Sequence, residues 1–153
     1  MSTPDRAATT AVDSTEPGFT YSRSVFFYET DLAGVVHFSC YFRYMEEAEH
    51  ALWRAAGLTV DRAGGEIGYP RVSATFDYKS PLFFEDRFTV VARVHAVSPR
   101  TIKYSFVFTR GDVHVGTGYL TTACAARIDD GSMKSVPVPA DVIPRLRAAA
   151  GQS

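Results

Sequence analysis

Between Thr30 and Tyr41 the chain reads Thr-Asp-Leu-Ala-Gly-Val-Val-His-Phe-Ser-Cys-Tyr, and its few polar groups are spaced for acyl transfer. Asp31 is a lone carboxylate followed by the nearly apolar stretch Leu32 to Val36. A carboxylate in such surroundings loses part of its hydration and gains reactivity. Ala33 and Gly34 let the backbone come close to a ligand. A helix expected from about Ser39 brings unpaired backbone N–H groups, and the positive end of its dipole, to the same place. Such donors hold a carbonyl oxygen as negative charge develops, while the carboxylate drives attack. An Asp ahead of a Gly-containing turn also fits a plain Asx turn, so the residue types leave both readings open.

The elements that must position this segment follow from periodicity. Phe19 to Tyr28 is rich in aromatic residues and predicts a strand. Phe42, Met45, Ala48, Leu52 and Ala55 recur at steps of three and four, the spacing of one helical face. With Ser39 or Cys40 at the cap, Arg54 near the end and Gly57 after it, this helix spans about 16 to 18 residues. A loop with Gly64, Gly65, Gly68 and Pro70 follows. The rest reads as strands over Arg71 to Lys79, Asp86 to Val97, Thr101 to Thr109 and Val113 to Ile128. Ser98-Pro99-Arg100 and Gly111-Asp112 form tight connections, and a bend or bulge is expected around Gly116 and Gly118. Pro137, Pro139 and Pro144 argue against a further long strand. Strands with one segregated helix make an α+β domain with the helix on one sheet face. Large apolar residues expected on the other face call for a second layer, which a partner subunit can supply.

At 153 residues the chain suits one domain, with 46% hydrophobic and 22% charged residues. A net charge of -1 and a pI of about 6.4 leave no footprint for nucleic acid or an anionic membrane surface. No apolar run approaches the roughly 20 residues of a membrane span. Residues 1–18 lack an apolar signal core and read as a disordered tail, 19–147 as the domain, and 148–153 as a flexible end. Cys40 and Cys124 lie far apart in sequence and read as reduced thiols of a cytoplasmic protein. His37, His50, His95 and His114 share no metal-ligand spacing, so no metal is expected.

The run Tyr28-Glu-Thr-Asp31-Leu-Ala-Gly34-Val-Val-His-Phe38-Ser-Cys-Tyr41-Phe-Arg-Tyr-Met-Glu-Glu-Ala48 resembles the signature of the 4-hydroxybenzoyl-CoA thioesterase family of hotdog proteins. Downstream, Phe76-Asp-Tyr78-Lys-Ser-Pro81-Leu-Phe-Phe-Glu-Asp86 is similar to the family's Tyr-x-x-Pro and Asp strand pair. The resemblance covers about Phe19 to Ile128 in order. It implies a hotdog fold, with a long central helix packed on a strongly curved antiparallel sheet of five or six strands. It implies hydrolysis of an acyl-CoA or acyl-carrier-protein thioester to free acid and thiol. No cofactor is implied, because coenzyme A belongs to the substrate, and a homodimer or homotetramer is.

Carried onto this chain, the resemblance makes Asp31 the general base or nucleophile. The Phe38 backbone N–H, on the helix's first turn, becomes the oxyanion contact, and Gly34 allows close approach. His37 either touches substrate or packs as a surface imidazole. Glu47 is the reserve catalytic carboxylate, on a helix whose acids otherwise read as a solvated face. Arg100 and Lys103 either meet coenzyme A phosphates or form an exposed basic turn. Tyr41, Phe76 and Tyr78 are acyl-pocket or core residues. Cys40 departs from the Asn of many members, as a packed helix-start residue or a reactive thiol. Two rival readings are a hotdog hydratase or dehydratase using Asp31 with His37, and a non-catalytic acyl-CoA-binding domain.

Overall fold

The computed structural model describes residues 16–59 and 66–152. Strand β1 (Phe19–Ser24) leads through a 3-10 turn (Phe27–Glu29) and a loop into α1 (Cys40–Ala55). Then come β2 (Ile67–Gly68), β3 (Arg71–Tyr78), β4 (Arg87–Ser98), β5 (Thr101–Arg110), β6 (Val113–Ala123), β7 (Ala125–Arg127), β8 (Met133–Ser135) and α2 (Val142–Ala149). Five strands form an antiparallel sheet in the order β1-β4-β5-β6-β3. A small second sheet has the order β2-β7-β8. The predicted run Val113 to Ile128 therefore splits at Cys124, beyond which β7 pairs with β2 and β8 instead of β5.

Alternation along the strands sets the two faces of the sheet. Phe88, Val90, Ala92 and Val94 of β4, with Ile102, Tyr104, Phe106 and Phe108 of β5, are buried in one core with α1. The helix buries Tyr41, Tyr44, Met45, Ala48, Leu52 and Trp53 in that core. Its buried stripe is thus rotated from the predicted one: Phe42 is half-buried and Ala55 is exposed.

The open face differs from expectation. It is mainly hydroxylic, with Ser22, Thr89, Ser105, Thr109, Thr117 and Thr121 surrounding Val91, Val107 and Tyr119. The large aromatic residues of β4 and β5 all lie toward the helix. A large apolar open face is therefore not what would call for a second subunit.

The register break in β6 falls at Val115, between His114 opposite Thr109 and Gly116 opposite Phe108. Gly116 and Gly118 do something else. A Cβ on Gly118 would stand 2.3 Å from Met45 Sδ, and one on Gly116 would stand 2.5 Å from the Phe76 ring and 2.6 Å from the Asp77 carbonyl. The two glycines are a shelf on which Phe76 and Met45 rest.

The expected tail, 1–18, lies outside the described residues except for its last three. At the other end, α2 was not anticipated. Pro144 falls in its first turn, where a missing N–H leaves no helical bond unmade. Val142, Leu146 and Ala150 are buried, and the Gln152 amide bonds both the N–H and the carbonyl of Val94 at 2.9 Å each. Residues 148–152, read from sequence as a flexible end, pack against the domain. Among the described residues no helix is long and apolar enough to cross a membrane.

Candidate active site

The loop carrying Asp31 is a small hairpin. Thr30 bridges Val36, and Val35 bridges Phe83. Asp31 N–H donates to the Val35 carbonyl at 2.8 Å, and Gly34 N–H donates to the Asp31 carbonyl at 3.0 Å. Asp31 Oδ1 accepts from the backbone N–H of Ala33 at 2.8 Å and of Val35 at 3.4 Å. The carboxylate therefore does form an Asx turn, which fixes its direction. Its Oδ2 takes no hydrogen bond among the described residues. Leu32, Ala33 and Gly34 point outward, so the chain alone leaves Asp31 half-exposed. Gly34 has φ +83 and nothing within 4 Å of its would-be Cβ. In this chain its glycine is required by the left-handed backbone, not by crowding.

Helix α1 begins at Cys40 with Ser39 at its N-cap, so Phe38 lies just ahead of the helix and not on its first turn. Cys40 N–H donates to the His37 carbonyl at 2.9 Å. Across a trans peptide the Phe38 N–H points opposite to that carbonyl, away from the helix. It has no acceptor among the described residues. The Phe38 carbonyl accepts from the Tyr78 hydroxyl at 2.8 Å. Asp31 and this N–H thus lie on one bridged loop.

His37 faces the helix start. Its backbone N–H donates to the Glu29 carbonyl at 2.8 Å, and its ring stacks on Phe38 with centroids 4.6 Å apart. Nδ1 accepts from Ser39 N–H at 3.2 Å and lies 2.7 Å from Ser39 Oγ. An accepting Nδ1 puts the proton of the neutral ring on Nε2. No contact joins His37 to Asp31 among the described residues.

Tyr41 is buried among Phe76, Tyr78, Tyr44 and Phe108 rings, and burial pushes its hydroxyl up to about 12. Tyr78 is half-exposed, with its ring edge-on to Tyr41. These rings and Phe76 form an aromatic wall beside the Phe38 turn. Burial raises the Cys40 thiol, with Glu29 adding to it, and its Sγ lies 3.6 Å from the Glu29 carbonyl. That is the packed helix-start residue, not an activated thiolate.

Three expected site residues lie elsewhere. Glu47 is held by Arg23 Nη1 at 2.8 and 2.9 Å and accepts from the Tyr21 hydroxyl at 2.7 Å. These bonds tie α1 to β1. Arg100 Nη1 donates to the Ser135 carbonyl at 2.8 Å, and Lys103 Nζ sits 5.1 Å from the Tyr119 ring centroid. Both belong to the Ser98–Thr101 end of the β4–β5 hairpin. The Asp31 loop sits at the opposite end, near Phe83, Asp86 and Arg110. Ten residues of β5 separate the two ends by roughly 30 Å. One chain does not bring these basic residues to Asp31.

Sequence reasoning missed Arg23 and Glu29. Glu29 is buried, takes Arg23 Nη2 and the Phe26 N–H (2.8 Å) on its carboxylate, and supports His37 and Cys40 through its carbonyl. The Arg23 guanidinium is sandwiched between the Phe26 and Tyr44 rings at 4.7 and 4.6 Å. Only the placement of Glu29 two residues before Asp31 could have signalled this.

Comparison with known proteins places the chain among relatives. A protein of Aquifex aeolicus (strain VF5), named provisionally as an esterase, is 36% identical over 121 residues, which are 78% of this chain and 91% of its own. A 1,4-dihydroxy-2-naphthoyl-CoA hydrolase of Crocosphaera subtropica is 34% identical over 73 residues, 46% of this chain and 53% of that one. The solved structure of a gentisyl-coenzyme A thioesterase superposes with a TM-score of 0.73 at 26% identity, covering 80% of this chain and 98% of that one. The model of the thioesterase-like superfamily matches residues 25–146, and the chain belongs to that superfamily and has its hotdog fold.

Proposed function

We propose that the protein hydrolyses an acyl-CoA thioester to the free acid and coenzyme A, with Asp31 as general base or nucleophile. The single observation that carries this reading is the pairing of two groups on one loop. The Asp31 carboxylate is aimed by two backbone N–H donors, and the Phe38 N–H, seven residues on in the same loop, has no acceptor among the described residues. The thioester carbonyl oxygen takes the Phe38 N–H as negative charge develops on it. Asp31 either draws a proton from attacking water or attacks the carbonyl carbon itself, and the carbon–sulfur bond breaks with the thiolate leaving; in the second case water then cleaves the Asp31–acyl anhydride to give the free acid. The residues need no cofactor, since coenzyme A arrives and leaves with the substrate. A carrier-protein thioester would present the same reacting bond.

The relatives named for gentisyl-CoA and 1,4-dihydroxy-2-naphthoyl-CoA act on aromatic acyl groups. The wall of Tyr41, Phe76 and Tyr78 favours the same class here, with 4-hydroxybenzoyl-CoA among the compact candidates. The reading includes a homodimer or homotetramer in the cytoplasm. β3 is an edge strand exposed along nearly its whole length, a natural place for a second copy to pair. A neighbouring subunit is also the way for Arg100 and Lys103 to reach coenzyme A phosphates.

The test is thiol release from a panel of aromatic and aliphatic acyl-CoAs by wild type, Asp31→Asn and Asp31→Ala. Asn keeps an oxygen for the Ala33 N–H, so the turn survives while the base is lost. Turnover by Asp31→Asn should drop about 100-fold or more. Equal turnover would exclude the role of Asp31. Tight acyl-CoA binding without turnover by the wild type would instead favour a non-catalytic domain.

A further inference from the structure

Among the described residues the hydroxyl of Tyr78 makes one hydrogen bond, and it is to the turn that carries the candidate oxyanion donor. Tyr78 is the last residue of the edge strand β3, forty positions from Phe38 in sequence. Two consecutive peptide groups of the turn are pinned from different sides. The His37–Phe38 peptide is held through the His37 carbonyl by Cys40 N–H at 2.9 Å. The Phe38–Ser39 peptide is held through the Phe38 carbonyl by Tyr78 at 2.8 Å. With its neighbours fixed, the Phe38 N–H keeps one direction although it bonds to nothing among the described residues. Phe38 gains no restraint from burial, because its side chain is exposed and touches the His37 ring by stacking.

We propose that Tyr78 is a positioning residue: its hydroxyl holds the Phe38 main chain so that the N–H is preorganised for the thioester oxygen. The catalytic half of this rests on the thioesterase reading above. Donors fixed before the reaction cost no reorganisation as charge develops, so a loosened donor is felt in the transition state more than in substrate binding. This separates a positioning role from the acyl-pocket role expected from sequence, in which loss of Tyr78 would raise KM. Phenylalanine keeps the ring against Tyr41 and Phe76 and removes only the bond.

The experiment compares wild type, Tyr78→Phe and Tyr78→Leu by backbone amide relaxation of the free protein and by steady-state thiol release from the acyl-CoA panel. In Tyr78→Phe the Phe38 amide order parameter should fall from about 0.85 toward the flexible range, below about 0.6. Its kcat should fall about five- to tenfold with KM within twofold, the loss of one neutral hydrogen bond. Tyr78→Leu should loosen Phe38 to the same extent. An unchanged Phe38 amide in Tyr78→Phe overturns the proposal whatever the activity. So does loosening confined to Tyr78→Leu, which would assign the effect to the ring. A loosened amide with unchanged kcat, or a raised KM alone, overturns the catalytic half. A wild type inactive on every acyl-CoA overturns the thioesterase reading and the catalytic half with it, while the amide measurement still decides the structural half.

Discussion

Arg23 on β1 is ion-paired with Glu29 at the base of the segment that carries Asp31, where the Glu29 carbonyl takes the His37 N–H, both side chains nearly out of water. Charges so removed from solvent are tolerated when every lone pair finds a donor. Here Arg23 serves Glu29 and Glu47 together, and Glu29 also takes the Phe26 N–H. The same Glu29 holds His37 and Cys40 by its carbonyl, so one buried cluster sets where the loop leaves and where the helix begins.

Replacing Arg23 with Met keeps the length and apolar stem but leaves the Glu29 carboxylate buried without its cation. The expected cost is about 3 kcal/mol of folding stability, read from urea unfolding. Glu29→Gln should cost less, because an amide oxygen still accepts from Arg23 and from the Phe26 N–H. A loss below about 1 kcal/mol for Arg23→Met would show that solvent takes over the role of the guanidinium.

The glycine shelf makes a second, graded prediction. At Gly116 a new Cβ meets the Asp77 carbonyl at 2.6 Å as well as the Phe76 ring, and a paired strand backbone cannot retreat. At Gly118 the nearest atom is Met45 Sδ, on a side chain with several rotamers. Gly116→Ala should therefore destabilise more than Gly118→Ala, within the range of about 1–3 kcal/mol for overpacked cores. Thermal unfolding of the two variants checks the order. Equal midpoints would mean that β3 shifts freely against β6.

Much of the scaffold was legible because it is periodic. The alternation of Ile102, Tyr104, Phe106 and Phe108 located β5 and its buried face, and the three-and-four spacing located α1 to within its ends. Elements too short to have a period were not legible: the three-residue β7 and β8, and the 3-10 turn hidden in the strand-like Phe26-Phe27-Tyr28. Helix α2 was masked by Pro144, which breaks a helix interior but not a first turn. At the site, Asp31, Gly34 and Phe38 lie within one short segment, so sequence spacing nearly is spatial spacing. The surroundings of Glu47, Arg100 and Lys103 were not legible, for the converse reason. Their partners, Arg23, Ser135 and Tyr119, come from distant strands, and residue type carries no record of them.

A third prediction concerns Glu49, which α1 buries facing β3. Arg71 holds both of its oxygens, with Nη1 3.3 Å from Oε2, and Glu46 and His50 stand alongside. Burial pushes its carboxyl up from 4.5 to about 7, outweighing the pull of Arg71. Folded protein thus binds a proton there that the unfolded chain has released. The resulting stabilisation is complete below about pH 4.5 and is lost as pH rises through about 7. Across that interval each pH step of one is worth about 1.4 kcal/mol, so the loss is about 3 kcal/mol. Glu49→Gln cannot titrate, so its stability should fall less between pH 5 and pH 8.5 than that of the wild type. His50, which burial shifts down, acts in the opposite sense, and His50→Gln in both backgrounds removes it from the comparison. Urea unfolding of the pair at both pH values makes the measurement. Parallel pH profiles would show that the Arg71 pair keeps Glu49 ionised throughout.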